Sequence, residues 1–149
     1  MSRAQAEWDQ RFMNLLEEVR TWSWMPGKDG GASAVLVSPD RRQTTFGYAG
    51  PPRDCPQVLL DLAEGEAEYR DQLCRHAERN ALSNAEGSVR GWTLYVSKPP
   101  CVECALEAHS RGIVRVVSPE LEPESRWHRE QEDAYHYMRD LGLEVVHLA

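Results

Sequence analysis

A histidine, a glutamate and two cysteines stand out in this sequence because their types and spacing suit metal chemistry. His76 and Glu78 lie in HAERNAL (76–82), and Cys101 and Cys104 lie in PPCVEC (99–104). Taken alone, such a histidine is typical of a packed or solvated side chain, and a CxxC pair fits a redox centre or half of a structural zinc site. The chain holds no second CxxC, and a redox pair would leave His76 and Glu78 without a role.

Taken together, one histidine and two cysteines make the ligand set of a catalytic zinc ion. Three protein ligands on tetrahedral Zn²⁺ leave one position for water, whereas structural sites have four protein ligands. The cysteine pair falls where a strand ends and a helix begins, and a helix N-terminus favours thiolates. Glu78 is close enough to His76 to reach that water. The HxE…PCxxC pattern is the signature of zinc-dependent nucleobase deaminases.

The first half of the chain predicts a helix, a hairpin and a loop. Apolar residues at three- and four-residue spacing predict an amphipathic helix over 4–22. SAVLV (33–37) predicts a buried strand, and QTTFGY (43–48) predicts its hairpin partner. Residues 50–72 contain three prolines followed by acidic sequence, which favours a long, mostly exposed loop with a short helix.

Helices and strands alternate in the second half. Helices are predicted over about 76–86, from about 102 to near Gly112, and over about 126–141, and the strands WTLYVS, IVRVV and LEVVHL follow them in turn. Gly112 and Gly142 are the expected left-handed helix ends. Helices between successive strands imply parallel crossovers. The sequence therefore predicts one α/β domain over residues 1–149, with a mixed sheet and helices on both faces.

Four stretches resemble the deoxycytidylate deaminase family, in the family's order: SAVLVSPDRRQTTFGYAGPPRD (33–54), HAERNAL (76–82), GWTLYVSKPPCVECA (91–105) and RGIVRVVSPE (111–120). The resemblance implies a cytidine deaminase-like, three-layer α/β/α fold with a mixed five-stranded sheet whose last two strands are parallel. It implies hydrolysis of dCMP to dUMP and ammonia, which supplies dUMP for thymidylate synthesis. It also implies a homo-oligomer, commonly a hexamer.

The resemblance assigns roles to the motif residues. His76, Cys101 and Cys104 would bind Zn²⁺, with no further cofactor. Glu78 would carry the proton from water to the ring nitrogen N3 and then to the leaving amine, and the backbone N–H of Ala77 would lie beside the base. The candidates for binding the phosphate are Arg53, Arg75 and Lys28.

The chain departs from the family at several positions. Ala49 in GYAG replaces an asparagine that contacts the nucleotide sugar, and Asp54 replaces a glycine. The segment SWMPGKDGG (23–31) keeps little of the family's N-terminal pattern, which leaves control by dCTP or dTTP an open question. Cys55 and Cys74 are expected to be free thiols. Trp127 and Tyr135 are expected to pack in the core or on the surface, although bordering the site is the alternative.

Composition limits the partners. The net charge is −7 and no basic stripe is present, which argues against nucleic-acid binding and favours a small deoxycytidine nucleotide. Three alternatives stay open: a deaminase of 5-substituted dCMP or of dCTP, a base deaminase acting on tRNA or single-stranded DNA, and a non-catalytic zinc module, against which Glu78 argues. No apolar run is long enough to cross a bilayer, and the N-terminus has no signal-peptide core, so we expect no membrane partner and a cytoplasmic location.

Overall fold

The computed structural model describes residues 2–24 and 31–148. In these ranges the helices are α1 (Arg3–Val19), α2 (Gln57–Gly65), α3 (Ala67–Leu73), α4 (Ala77–Asn84), α5 (Val102–Ser110) and α6 (His128–Asp140). The strands are β1 (Ser33–Val37), β2 (Thr44–Tyr48), β3 (Thr93–Val96), β4 (Arg115–Pro119) and β5 (Glu144–Leu148). A 3₁₀ turn, Arg20–Trp22, follows α1. None of the described helices combines the length and apolarity needed to cross a membrane.

The five strands form one mixed sheet in the order β2-β1-β3-β4-β5. The strand β1 pairs antiparallel with β2 on one side and with β3 on the other, so that Val35 lies opposite both Phe46 and Tyr95. The pairs β3–β4 and β4–β5 are parallel, with Val116 opposite Val145. The predicted mixed five-stranded sheet with its last two strands parallel is therefore confirmed.

Helices cover both faces of the sheet, because successive residues of the buried strands point to opposite faces. On one face, Phe12 and Leu16 of α1 pack against Val35, Val37 and Tyr95. On the other, helices α4, α5 and α6 bury a larger apolar cluster against the sheet, which includes Leu36, Leu94, Leu82, Ala105 and Met138. This confirms the predicted three-layer α/β/α arrangement.

A buried carboxylate ties α1 to the sheet. Asp9 is 0% exposed and accepts hydrogen bonds from the Arg115 guanidinium at 2.7 and 2.5 Å. It also accepts from the Tyr95 hydroxyl at 2.6 Å and from the Gln5 side chain at 3.0 Å. Removing one partner from such a network leaves the others buried without compensation, so this contact fixes α1 across strands β3 and β4.

The prediction of a loop with one short helix over 50–72 is wrong in part. The segment forms two helices, α2 and α3, although it is largely exposed as expected. All three prolines precede α2, and Pro56 stands at its N-cap, so they interrupt no helical turn. The predicted left-handed helix ends are confirmed: Gly112 has φ 87° and Gly142 has φ 90°.

Candidate active site

The first half of the site is the N-terminus of α4. His76 is the N-cap residue, with extended backbone angles (φ −62°, ψ 146°), and Glu78 lies in the first turn with 7% of its surface exposed. The helix rests directly on β2 because Gly47 has no side chain: a Cβ there would come within 2.3 Å of the Ala81 nitrogen and 2.4 Å of the Ala77 oxygen.

Asn80 fixes α4 against the turn that follows β2. Its side-chain amide donates to the carbonyl oxygens of Tyr48 at 2.9 Å and Gly50 at 3.3 Å. Between those two residues, the backbone N–H of Ala49 donates to the Ala32 carbonyl at 3.0 Å. These contacts hold the GYAG turn beside the start of α4. Sequence reasoning did not single out Asn80, whose position four residues after His76 was its only signal.

The second half of the site is the N-terminus of α5, which follows β3. Cys101 is the N-cap of this helix, and its sulfur accepts a hydrogen bond from the Cys104 backbone N–H at 3.4 Å. Pro99 and Pro100 are buried between the strand and the helix. Since α4 and α5 pack on the same face of the sheet, both thiols reach the N-terminus of α4.

The histidine and the two cysteines form one compact cluster. Nδ1 of His76 is 3.4 Å from the sulfur of Cys101 and 3.4 Å from that of Cys104. The three possible ligand atoms lie within 4.8 Å of one another, and this is the one such group of His, Cys, Asp or Glu that the described residues form. Two sulfurs and one imidazole nitrogen are a donor set that suits zinc, so the residues present fit that metal.

The cluster and its neighbour Glu78 influence each other's protonation. Hydrogen bonds from the Cys104 thiol and from His76 lower the pKa of Cys101 to about 4, although burial opposes this. The hydrogen bond to Cys101 and burial raise the pKa of Cys104. The hydrogen bond to Cys101 also raises the pKa of His76. Burial raises the pKa of Glu78 above the usual value of a carboxyl group, which favours its protonated form.

An open cleft of about 350 Å³ lies over the cluster, a size in the range of small-molecule sites. His76, Ala77, Glu78 and Cys101 line one part of it. The other walls come from the GYAG turn, from the end of β3 and from the start of α6, through residues that include Ala49, Lys98, Trp127 and Glu130. The cleft can take a small molecule with a buried carboxyl group and a cluster of potential metal ligands on one side.

The structure thus brings the sequence-predicted motif residues together, but not the candidates for phosphate binding. The Arg53 guanidinium lies 3.3 Å from Glu86 and 3.7 Å from Asp54, and Arg53 lines a different cleft together with Asn80. Arg75 donates to the Ser83 hydroxyl at 3.0 Å. Lys28 lies outside the described residues.

Two residues of the cleft lie outside the predicted motif. Trp127 is 51% exposed, as the expected surface position allows, and it also lines the cleft, which was the alternative, because it stands at the N-cap of α6, which passes over the site. Lys98 was not singled out, although its place just before PPC was a signal. The expectation for Cys55 and Cys74 is confirmed, since both are free thiols.

Comparison with known proteins gives one family and close relatives. Residues 6–119 match the family model of the cytidine and deoxycytidylate deaminase zinc-binding region. The chain is 30% identical to the "uncharacterized deaminase in luxG 3′ region" of Aliivibrio fischeri, over 96% of this chain and 95% of that protein. It is 32% identical to the deoxycytidylate deaminase of Mycobacterium phage D29, over 76% of this chain and 94% of the phage protein.

Solved structures show the same fold. The dCMP deaminase of the cyanophage S-TIM5, in complex with dCMP and dUMP, is similar with a TM-score of 0.70 at 21% identity, over 99% of both chains. A diaminohydroxyphosphoribosylaminopyrimidine deaminase/reductase of Thermotoga maritima is similar with a TM-score of 0.65 at 22% identity, over 93% of this chain and 36% of that one. These likenesses confirm the cytidine deaminase-like fold that the sequence predicted.

Proposed function

The chain belongs to the cytidine and deoxycytidylate deaminase family, and from this premise we propose that it is a zinc-dependent enzyme that hydrolyses dCMP to dUMP and ammonia. The observation that carries the proposal is the compact cluster of His76, Cys101 and Cys104 beside the buried carboxyl group of Glu78 in one cleft. The name of the phage relative, deoxycytidylate deaminase, supports dCMP as the substrate.

In this proposal the metal is held by residues that the fold already places together. His76, Cys101 and Cys104 would bind Zn²⁺, and His76 and Cys101 are the N-cap residues of α4 and α5, whose N-termini meet at the cluster. When bound there, zinc would supply a water of near-neutral pKa next to the substrate. Glu78 is not one of the clustered ligands, so its carboxyl group stays available for proton transfer.

Glu78 carries the protons of the reaction. Its carboxylate accepts a proton from the attacking water and delivers it to N3 of the cytosine ring, which makes C4 electrophilic. As the water oxygen bonds to C4, Glu78 takes the remaining proton of this new hydroxyl group and delivers it to the amino group. The C4–N bond then breaks, ammonia leaves and a carbonyl group remains at C4. Burial raises the pKa of Glu78, which makes its carboxylate a stronger proton acceptor. Ala77, whose backbone N–H is at the start of α4, lies against the base.

We propose that the chain is a one-domain enzyme that acts on free nucleotides. It works as a homo-oligomer, which is a hexamer by family resemblance. Its location is the cytoplasm, where its product dUMP supplies thymidylate synthesis. The charge of −7 supports a small substrate over a nucleic acid, because binding a nucleic-acid backbone depends on clustered basic residues. Multi-angle light scattering checks the size of the oligomer. Adding dCTP or dTTP to the assay checks whether either acts as an effector.

A substrate panel tests the proposal. Ammonia release is measured with zinc-loaded protein on dCMP, CMP, dCTP, 5-methyl-dCMP, single-stranded DNA and tRNA. We expect the highest kcat/KM with dCMP. A higher kcat/KM with dCTP or with 5-methyl-dCMP would mean that this nucleotide, and not dCMP, is the substrate. Activity on nucleic acid alone would place the protein among base deaminases, and no ammonia from any substrate would contradict an enzymatic role.

A further inference from the structure

The walls of the cleft carry few charges. Besides His76, the one basic side chain among the described residues that line it is Lys98, which is half-buried and follows the end of β3. The acidic side chains there are Glu78 and Glu130. Only two of the 17 basic residues of the chain are lysines, Lys28 and Lys98. Lys98 is therefore the cation that the described lining itself offers to a ligand, whereas the Arg126 guanidinium stacks on the ring of Trp127, 4.6 Å from its centre.

Three arginines near the site have polar side-chain partners, and Lys98 differs from them. Arg53 pairs with Glu86, Arg79 lies 2.5 Å from Glu103, and Arg75 donates to Ser83. Among the described residues, no carboxylate oxygen lies within 4.0 Å of the Lys98 ammonium, although Glu130 lines the same cleft. Partial burial of an ammonium without a counter-ion is unfavourable, and an anionic ligand removes that cost.

The backbone fixes where Lys98 stands. On its C-terminal side, the buried Pro99 and Pro100 lead directly to Cys101. On its N-terminal side, the backbone N–H of Ser97 donates to the Ser33 carbonyl of β1 at 2.9 Å. The backbone of Lys98 therefore keeps a fixed position relative to the side chains of His76, Cys101 and Cys104. The backbone of Lys98 is fixed but its side chain is long and flexible, so its ammonium group can move to contact an oxyanion near the reacting ring.

We propose that Lys98 binds the phosphate group of the nucleotide and thereby makes the cleft prefer nucleoside monophosphates over nucleosides. The identity of the ligand rests on the proposed function; the presence of an anion site does not. Lys98 is a specificity-determining residue in this scheme, since the chemistry at C4 needs His76, Glu78 and the two cysteines but not the phosphate.

The first test compares two substrates that differ only in the phosphate. In Lys98→Ala, kcat/KM for dCMP is expected to fall about ten- to a hundredfold, the effect of losing one hydrogen bond to a charged group, while kcat/KM for deoxycytidine stays within about threefold. Lys98→Arg keeps the charge and is expected to recover part of the loss. Arg111→Ala, which removes one positive charge from an exposed pair with Glu107, is the matched control and is expected to leave both values unchanged.

The outcomes separate the proposal from a structural role. Equal losses on dCMP and deoxycytidine would mean that Lys98 supports the fold of the site, and no loss on dCMP would mean that another group binds the phosphate. Either result overturns the proposal. Arg53→Ala is measured beside it, because a selective loss of dCMP activity in that variant alone would assign the phosphate to Arg53.

A second test does not depend on turnover. Wild-type protein is acetylated at its amines with and without dCMP, deoxycytidine or inorganic phosphate, and the two lysines are followed by mass spectrometry. Lys98 is expected to react at least about fivefold more slowly with dCMP or phosphate, but not with deoxycytidine. If the enzyme turns over no substrate, the proposed function fails and this result alone decides on Lys98. Protection of Lys28 instead, or of neither lysine, would overturn the proposal.

Discussion

Replacing Glu78 with glutamine is expected to abolish most turnover while the metal cluster stays intact. The substitution keeps the size of the side chain but removes the group that accepts and returns a proton. Glu78 is not among the three residues whose ligand atoms lie within 4.8 Å of one another. The variant should therefore still bind about one zinc ion per chain.

The size of the loss follows from where the carboxyl group lies. A positioned general acid–base group contributes about 10²- to 10⁴-fold, or roughly 2.7–5.5 kcal/mol of transition-state stabilisation. Glu78 is 7% exposed, which hinders bulk water from replacing it, and it would serve in two proton transfers. We therefore expect a fall in kcat at the upper end of this range, at least about 10³-fold.

The assay measures kcat by ammonia release from dCMP and the zinc content of the same preparation. The control is Glu103→Gln, which changes a carboxylate located between the two cysteines in sequence. Its side chain is 75% exposed and pairs with Arg79 outside the cleft, so kcat should stay within about threefold of wild type.

Two results would refute this reasoning. If Glu78→Gln kept its zinc and retained kcat within tenfold of wild type, Glu78 would not be the proton carrier. If the variant lost zinc together with activity, the carboxyl group would belong to the metal site, and its separation from the ligand cluster would be wrong.

Three further predictions address the ligands, the sugar side of the cleft and the fold. Cys104→Ala is expected to lose most of the bound zinc, as measured by metal analysis, because it removes one of three donors; undiminished zinc would contradict the ligand set. Ala49→Asn is expected to lower KM for dCMP about two- to tenfold with little change in kcat, because a side-chain amide in the cleft wall gains one neutral hydrogen bond; a higher KM would argue against plain dCMP as the substrate. Asp9→Asn is expected to cost about 3 kcal/mol in urea unfolding at pH 7, because it leaves the Arg115 charge buried without its main partner. Burial alone would raise the pKa of Asp9, but hydrogen bonds from Arg115, Tyr95 and Gln5 lower it below its usual value. Its contribution is therefore complete above about pH 3.9, the unfolded-state pKa, and is lost as the pH falls through the lower folded-state pKa, so the stability curves of the wild type and of the Asp9→Asn variant should converge in acid.

The sequence by itself determined the types of the site residues and the order of the elements. His76 and Glu78 lie at the start of one helix, and Cys101 and Cys104 lie at the start of another. The short spacing within each pair was therefore enough to predict that its two side chains act together. The alternation of helices and strands after residue 76 was enough to predict a parallel half-sheet, because successive parallel strands need a crossover connection, which is usually a helix. The prediction over 50–72 was wrong in part because it gave the three prolines more weight than the helical spacing of the apolar residues that follow them.

The tertiary structure decided which distant residues face the site. The sequence around Trp127 fits a packed tryptophan as well as one that lines a site, and the sequence around Lys98 fits a solvated lysine as well as one that lines a site. Lys98 follows the end of β3, beside the start of α4, and the packing of α6 through Ala134 and Met138 brings Trp127 to the same cleft. The direction of a side chain at such a position depends on how whole elements pack against each other. The neighbouring residues in the chain do not encode that packing, so the cleft and the place of Lys98 in its wall are visible only in the folded protein.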